Sequence, residues 1–259
     1  MAGMLLIDAG NTRIKWAVPA EDGTGRWLHQ GAVARGETAS LATVWQQLGL
    51  AVARVCVSNV AGQALRETLG SVLTQAFGAD VAVEWFASVP ERAGLRNGYA
   101  NPGQLGCDRF AAAIGARSLF PGQELVVATC GTATTIDAVS AEGVFVGGMI
   151  LPGLGTMATS LALSTAQLPQ IEAISPPAQP FADNTVDAIV SGCIAAQAGA
   201  IEHALDERRR LAPGRALRCV LAGGAGKVLV PHLRLGDTVL EKVDNLVLIG
   251  LYAAMVYSG

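Results

Sequence analysis

Apolar runs at Leu5–Ile7 and Ile14–Val18 flank the polar stretch Asp8-Ala-Gly-Asn-Thr12, and this pattern predicts a β-hairpin at the start of the chain. A polar turn over 21–26 leads to a third strand over 27–33, then a short helix over 41–48 and a near-alternating strand over 52–58. Ala61, Leu65, Leu69, Val72, Leu73 and Ala76 recur at helical spacing, so a helix is expected that ends near Gly78, followed by a strand over 81–86. Residues 94–106 read as a Gly- and Pro-rich loop, and Asp108 as the cap of an Ala-rich helix running to Leu119. Pro121-Gly122 marks a boundary.

Beyond it the opening pattern returns. Strands over 125–129 and 134–139 enclose a turn at Gly131–Ala133, and a further strand covers 144–150. A loop over 152–155, a helix over 156–166 and a proline-bearing connection over 167–184 precede a long helix capped by Asn184 or Thr185 and ending at Leu211. Gly192 and Gly199 on that helix suggest close packing. Strands over 217–221 and 238–243, separated by the turn Ala222–Gly226, lead to a closing apolar helix over 245–257. The succession is α/β.

Aligning Gly10 with Gly131 sets Asn11-Thr12 against Thr132-Ala133 and Ile14 against Thr135, a weak internal repeat that implies two similar domains facing each other across a cleft. It puts Thr129 where the first hairpin has Asp8. Gly10 and Asn11 tolerate positive φ, so their turn can present backbone N–H groups to a phosphate. Asp8 at a strand end calls for a cation or several donors, and Lys15 is the matching charge. An ordinary hairpin with a solvated Asp and a solvated Lys fits this stretch equally well.

Composition narrows the classes. The chain has 259 residues, 51% hydrophobic and 15% charged. Its longest uncharged run, 143–171, is broken by glycines and Pro152 and does not read as a membrane span. No basic segment precedes the first apolar stretch, so no signal peptide is expected and the location should be cytoplasmic. A net charge of −3 argues against nucleic acid as a partner. Cys56, Cys107, Cys130, Cys193 and Cys219 form no CxxC pair, and His29, His203 and His232 are scattered, which argues against disulfides and zinc. Gly226-Lys227 lacks the following Ser or Thr of a P-loop. Gly153-Leu-Gly-Thr-Met-Ala158, with Glu172 in the acidic place, matches a dinucleotide fingerprint only loosely, because it follows Pro152 in mid-chain and Glu172 falls in a proline-rich loop.

Six blocks remain: Asp8–Lys15, Tyr99–Arg109, Gly131–Asp137, Gly147–Gly153, Thr185–Gly192 and Ala222–Gly226. In order and together they strongly resemble type III pantothenate kinases, the Bvg accessory factor family within the actin/sugar-kinase/Hsp70-like superfamily. That resemblance implies two facing RNase H-like α/β domains with an interdomain cleft, residues 1–120 and 121–259. It implies ATP-dependent phosphorylation of pantothenate to 4′-phosphopantothenate, the first step of coenzyme A biosynthesis, in a homodimer.

The roles it implies are these. Asp8 holds magnesium, and Gly10, Asn11, Thr12 and Lys15 meet the ATP phosphates, with Gly131 and Thr132 opposite. Gly223 and Gly224 lie on the adenosine side. Asp108 is the general base, and Tyr99, Gly106, Asp108, Arg109 and, from a partner subunit, Thr185 contact pantothenate. Family members commonly carry an acidic residue, associated with K+ or NH4+, where this chain has Thr129, so a monovalent cation requirement is doubtful. Two other readings stay open: a non-catalytic regulatory accessory protein with the same nucleotide cleft, and another small-molecule kinase or phosphohydrolase of the superfamily.

Overall fold

The computed structural model describes residues 3–21, 23–171, 173–177 and 179–257. Glu172, the acidic position of the loose dinucleotide match, lies outside them. Contacts divide the chain into two units, one comprising Met1–Pro121, Gly143–Phe145 and Asn245–Gly259, the other Gly122–Glu142 and Val146–Asp244.

In the first unit, β1 (Gly3–Ala9), β2 (Arg13–Pro19), β3 (Trp27–Ala34), β4 (Val52–Asn59) and β5 (Ala82–Trp85) form a sheet of order β3-β2-β1-β4-β5. β1 runs antiparallel to β2 and parallel to β4. Strand alternation sorts the side chains: Leu5, Ile7, Ile14, Trp16, Val55 and Val57 enter one core with α1 (Ser40–Gln47) and α2 (Gln63–Phe77). Trp45 is fully buried there, edge-on to Trp16 and stacked on Phe77 at 5.6 Å. The period of two sends Asp8, Lys15 and Ser58 to the opposite face. That face is covered by α3 (Cys107–Leu119), whose Cys107 Sγ lies 3.4 Å from Ser58 Oγ.

The last helix, α7 (Leu246–Val256), is apolar all round and almost wholly buried against α3. A Cβ on Gly115 would lie 2.6 Å from Leu246 O, and one on Gly250 would lie 1.7 Å from Ala111 O, so the two helices cross backbone to backbone through this glycine pair. The sequence division at 120/121 left this helix with the second half; its packing groups it with the first. The segment 94–106, read as loop, also carries structure: it opens with β7 (Leu95–Asn97), which pairs antiparallel with β6 (Glu91–Arg92) just before it.

In the second unit the strands β8 (Glu124–Cys130), β9 (Ala133–Val139), β10 (Val144–Pro152), β11 (Leu217–Ala222) and β12 (Val239–Lys242) follow the order β10-β9-β8-β11-β12. This is the order of the first sheet, strand for strand. Val144 and Phe145, which open β10, pair in parallel with β7 and are grouped with the first unit. The core of the second unit lies between this sheet and α4 (Leu154–Ser164), α5 (Thr185–Leu211) and α6 (Gly226–Leu229).

Among the described residues, α5 is long and apolar enough by length and composition to cross a membrane. Half of its apolar window is nonetheless buried inside the protein, and its last turns carry Arg208, Arg209 and Arg210. Gly192 and Gly199 do not mark close packing as the sequence suggested: a Cβ at either would meet open space.

Candidate active site

The first hairpin turn spans Gly10 to Arg13, closed by Gly10 N–H donating to Arg13 O at 3.1 Å. Asn11, Thr12 and Arg13 are exposed. Asp8 and Lys15 are direct cross-strand partners, so opposite charges sit side by side on the α3 face. Burial pushes the Asp8 carboxyl up to about 6; Lys15 opposes that rise, and the negative charge of Asp108 adds to it. Asp108 is thus near enough for its charge to be felt at Asp8, a repulsion that a cation would relieve. Among the described residues no three His, Cys, Asp or Glu side chains cluster as a complete metal site.

Asp108 does not cap its helix as the sequence suggested. Gly106 is the N-cap, and Asp108 sits in the first turn with Oδ1 accepting from Arg109 N–H at 2.8 Å. A Cβ on Gly106 would lie 2.8 Å from that oxygen, so the glycine leaves room for the carboxylate. Burial raises the Asp108 pKa against the opposing pull of the Arg109 backbone and guanidinium. A raised carboxylate in a helix's first turn fits a proton acceptor better than a cap.

Arg109 is 6% exposed. Its Nη1 donates to the Tyr99 hydroxyl at 2.9 Å, and the guanidinium lies 5.8 Å from the Tyr99 ring and 5.7 Å from the Phe145 ring. Tyr99 is set in place by a residue the sequence reading missed. Asn97, 8% exposed, accepts from Tyr99 N–H and donates through Nδ2 to Pro102 O. Its signal was a lone Asn beside glycine in a loop, too common to single out. Tyr99, Gly106, Asp108 and Arg109 are therefore brought to one end of α3.

The second turn is built differently. The register pairs Cys130 with Thr134 and Thr129 with Thr135, so three residues form the loop, not four. The ungapped alignment slips by one position after the turn: Thr134 matches Ile14, and Thr135 matches Lys15. The cross-strand Asp–Lys pair of the first hairpin is a neutral Thr–Thr pair in the second.

Neighbouring segments grip this turn. Thr132 O accepts from Gly153 N–H at 2.9 Å and from Thr156 Oγ1 at 2.8 Å. A Cβ on Gly153 would fall 2.0 Å from Gly131 O, which explains the glycine at the start of α4 without any dinucleotide. Gly223, at φ +89°, approaches so closely that a Cβ would lie 2.3 Å from Cys130 O, and Ala225 N–H donates to the same carbonyl. Gly224 beside it is exposed. A cavity of about 560 Å³ opens along Gly131, Thr132, Gly155, Thr156 and Thr159.

Thr185 is the exposed first residue of α5, and Asn184 is the cap, its side chain accepting from Asp187 N–H at 3.0 Å. With Met157, Leu161, Leu168, Ala188 and Ile189 it lines a largely apolar groove of about 780 Å³.

Residues 4–207 match the family described as type III pantothenate kinase. The chain belongs to that family. A type III pantothenate kinase of Janthinobacterium sp. (strain Marseille) is 57% identical over 98% of this chain and 97% of its own length, and one of Herminiimonas arsenicoxydans is 54% identical over 98% of each. In fold the chain is similar to a putative 2-dehydro-3-deoxygalactonokinase from Sinorhizobium meliloti, at a TM-score of 0.61 and 14% identity over 97% of both chains. The mixed α/β architecture with two matching sheets is thus shared with that solved structure, and this type III pantothenate kinase family member carries it nearly end to end.

Proposed function

We propose that this chain transfers the γ-phosphoryl group of ATP to the primary hydroxyl of pantothenate, giving 4′-phosphopantothenate and ADP, in the cytoplasm. The observation that carries the reading is the pair of half-buried carboxylates Asp8 and Asp108, the second close enough to raise the pKa of the first, beside Lys15 and an open glycine turn, in a chain of the type III pantothenate kinase family. Phosphoryl transfer asks a protein chiefly for positioning and for neutralisation of phosphate oxygens, and these groups supply both.

Asp108 accepts the proton as the pantothenate oxygen bonds to the γ-phosphorus and the bond to the bridging oxygen of ADP breaks. Its burial-raised pKa matches that task. Gly10, Asn11, Thr12 and Lys15 bind the phosphates from one hairpin, and Gly131 and Thr132 bind them from the other. Gly223 and Gly224 line the adenosine side. Asp8 is the residue that would hold magnesium, which when bound neutralises phosphate charge. Tyr99, Gly106 and Arg109 orient pantothenate. Thr185 completes the pocket from a second copy of the chain; the exposed apolar side chains Phe181 and Val186 flanking it support a homodimer through that region. Thr129 offers no charge to a monovalent cation, so the reaction runs with little potassium activation.

A coupled assay for ADP, with and without pantothenate, tests the proposal. ADP release that depends on pantothenate is expected. Release without it would indicate a phosphohydrolase, and none under any condition would leave a regulatory role.

A further inference from the structure

Gln197 is a polar side chain with no exposure at all, set on the apolar face of α5 beside Ile194 and Ile201. Its Oε1 accepts from Thr134 Oγ1 at 2.8 Å. Its Nε2 donates to Pro152 O at 2.6 Å and lies 3.6 Å from Met157 Sδ. Thr134 is the first paired residue after the second turn, and Pro152 immediately precedes Gly153, whose N–H holds Thr132 O at 2.9 Å. One amide therefore braces the turn directly through β9 and indirectly through the start of α4. Gln197 and Thr134 have no exposure, so a shift of Thr134 or of the Pro152 carbonyl would orphan a polar atom of the buried amide. A hydrophobic residue here would fill the space equally well without that liability; the amide is informative because it links the start of β9 to the end of β10, where the turn and α4 meet.

We propose that Gln197 is a positioning residue for ATP, holding the Gly131–Ala133 turn in the form that receives the phosphates. The inference rests on the reading of that turn as a phosphate site. Gln197 touches no substrate; it acts through Thr134, Pro152 and Gly153.

The test compares Gln197→Leu, Gln197→Glu and Thr132→Ala by steady-state kinetics and thermal melting. Gln197→Leu should raise KM for ATP about tenfold while KM for pantothenate stays within about twofold of the parent value. Gln197→Glu adds a readout that a purely structural role would not move. Ionised, its carboxylate cannot donate to Pro152 O, so ATP KM is high; protonated at lower pH, which burial favours, it regains the donor, and ATP KM returns toward that of the parent enzyme at the same pH.

A lowered melting temperature with unchanged ATP KM in both Gln197 variants, while Thr132→Ala raises it, overturns the inference and leaves the phosphate site standing. Unchanged ATP KM in Thr132→Ala overturns both. Should Gln197→Leu fail to fold, the pH-dependent recovery of Gln197→Glu decides alone: its absence refutes the proposal.

Discussion

The two hairpins share a place in matching sheets and differ in what holds them. The first presents a four-residue turn and relies on charge: Asp8 faces Lys15 across the strands, and Asp108 lies near enough to raise the Asp8 pKa. The second presents a three-residue turn whose strands carry the neutral pair Thr129 and Thr135, and it relies on grip: Gly153 and Thr156 bond Thr132 directly, Ala225 bonds Cys130 just before the turn, and Gln197 bonds Thr134 just after it. If both turns meet phosphate as proposed, a duplicated cradle would divide its work between charge and geometry: a carboxylate available to a metal is left out of a tight network, whereas a turn that only offers amides gains from being fixed.

The asymmetry makes graded predictions. Asp108→Asn should lower kcat by roughly 10²- to 10⁴-fold with ATP affinity retained. Thr129→Val, at the neutral pair, should change it by no more than about threefold, since it removes a hydroxyl and no charge. Comparable losses from the two would erase the distinction drawn here.

A smaller effect concerns stability. The Asp8 carboxyl, raised from 3.8 to about 6, keeps its proton longer in the folded chain than in the unfolded one. The folded state therefore binds more protons between these values, and its stability falls as pH rises through that window, by up to about 3 kcal/mol from this group. Asp108 acts in the same direction. Thermal melts of the metal-free protein should show melting temperature decreasing from pH 4 to 6, and Asp8→Asn should flatten the curve. An unchanged pH dependence in Asp8→Asn would contradict the raised pKa of Asp8, since Glu142 and Glu207, lowered in the fold, act in the opposite direction in both proteins.

The smallest expected effect is none: rates in sodium and potassium buffers should agree. A strong potassium requirement would mean that Thr129 and its surroundings hold a cation without a carboxylate.

The sequence made the first hairpin legible because charges stand out in apolar strands: Asp8 and Lys15 needed only the alternation rule to be placed on one face. It made the repeat visible but not its register, since the second turn is one residue shorter and no residue type marks the loss. Asp108, which only the family resemblance named as a base, was misjudged for its local role, because an acid near a helix start reads as a cap whether or not a glycine precedes it. Gln197 escaped notice because one Gln in a long Ala-rich helix carries no signal until its burial is known. The crossing of α3 and α7 depends on contact between Gly115 and Gly250, far apart in the chain, which no local pattern reveals.

That crossing has a consequence for biosynthesis. The helix carrying Asp108 is made early, but the surface against which Gly115 packs follows only after the whole of the intervening unit. Until α7 has been made and released, the apolar side of α3 stays uncovered. The first unit is therefore begun before the second and cannot be completed until the second has been made. A message truncated before Leu246 yields a product whose missing residues lie at the far end of the chain, while the damage falls on the helix that presents Asp108.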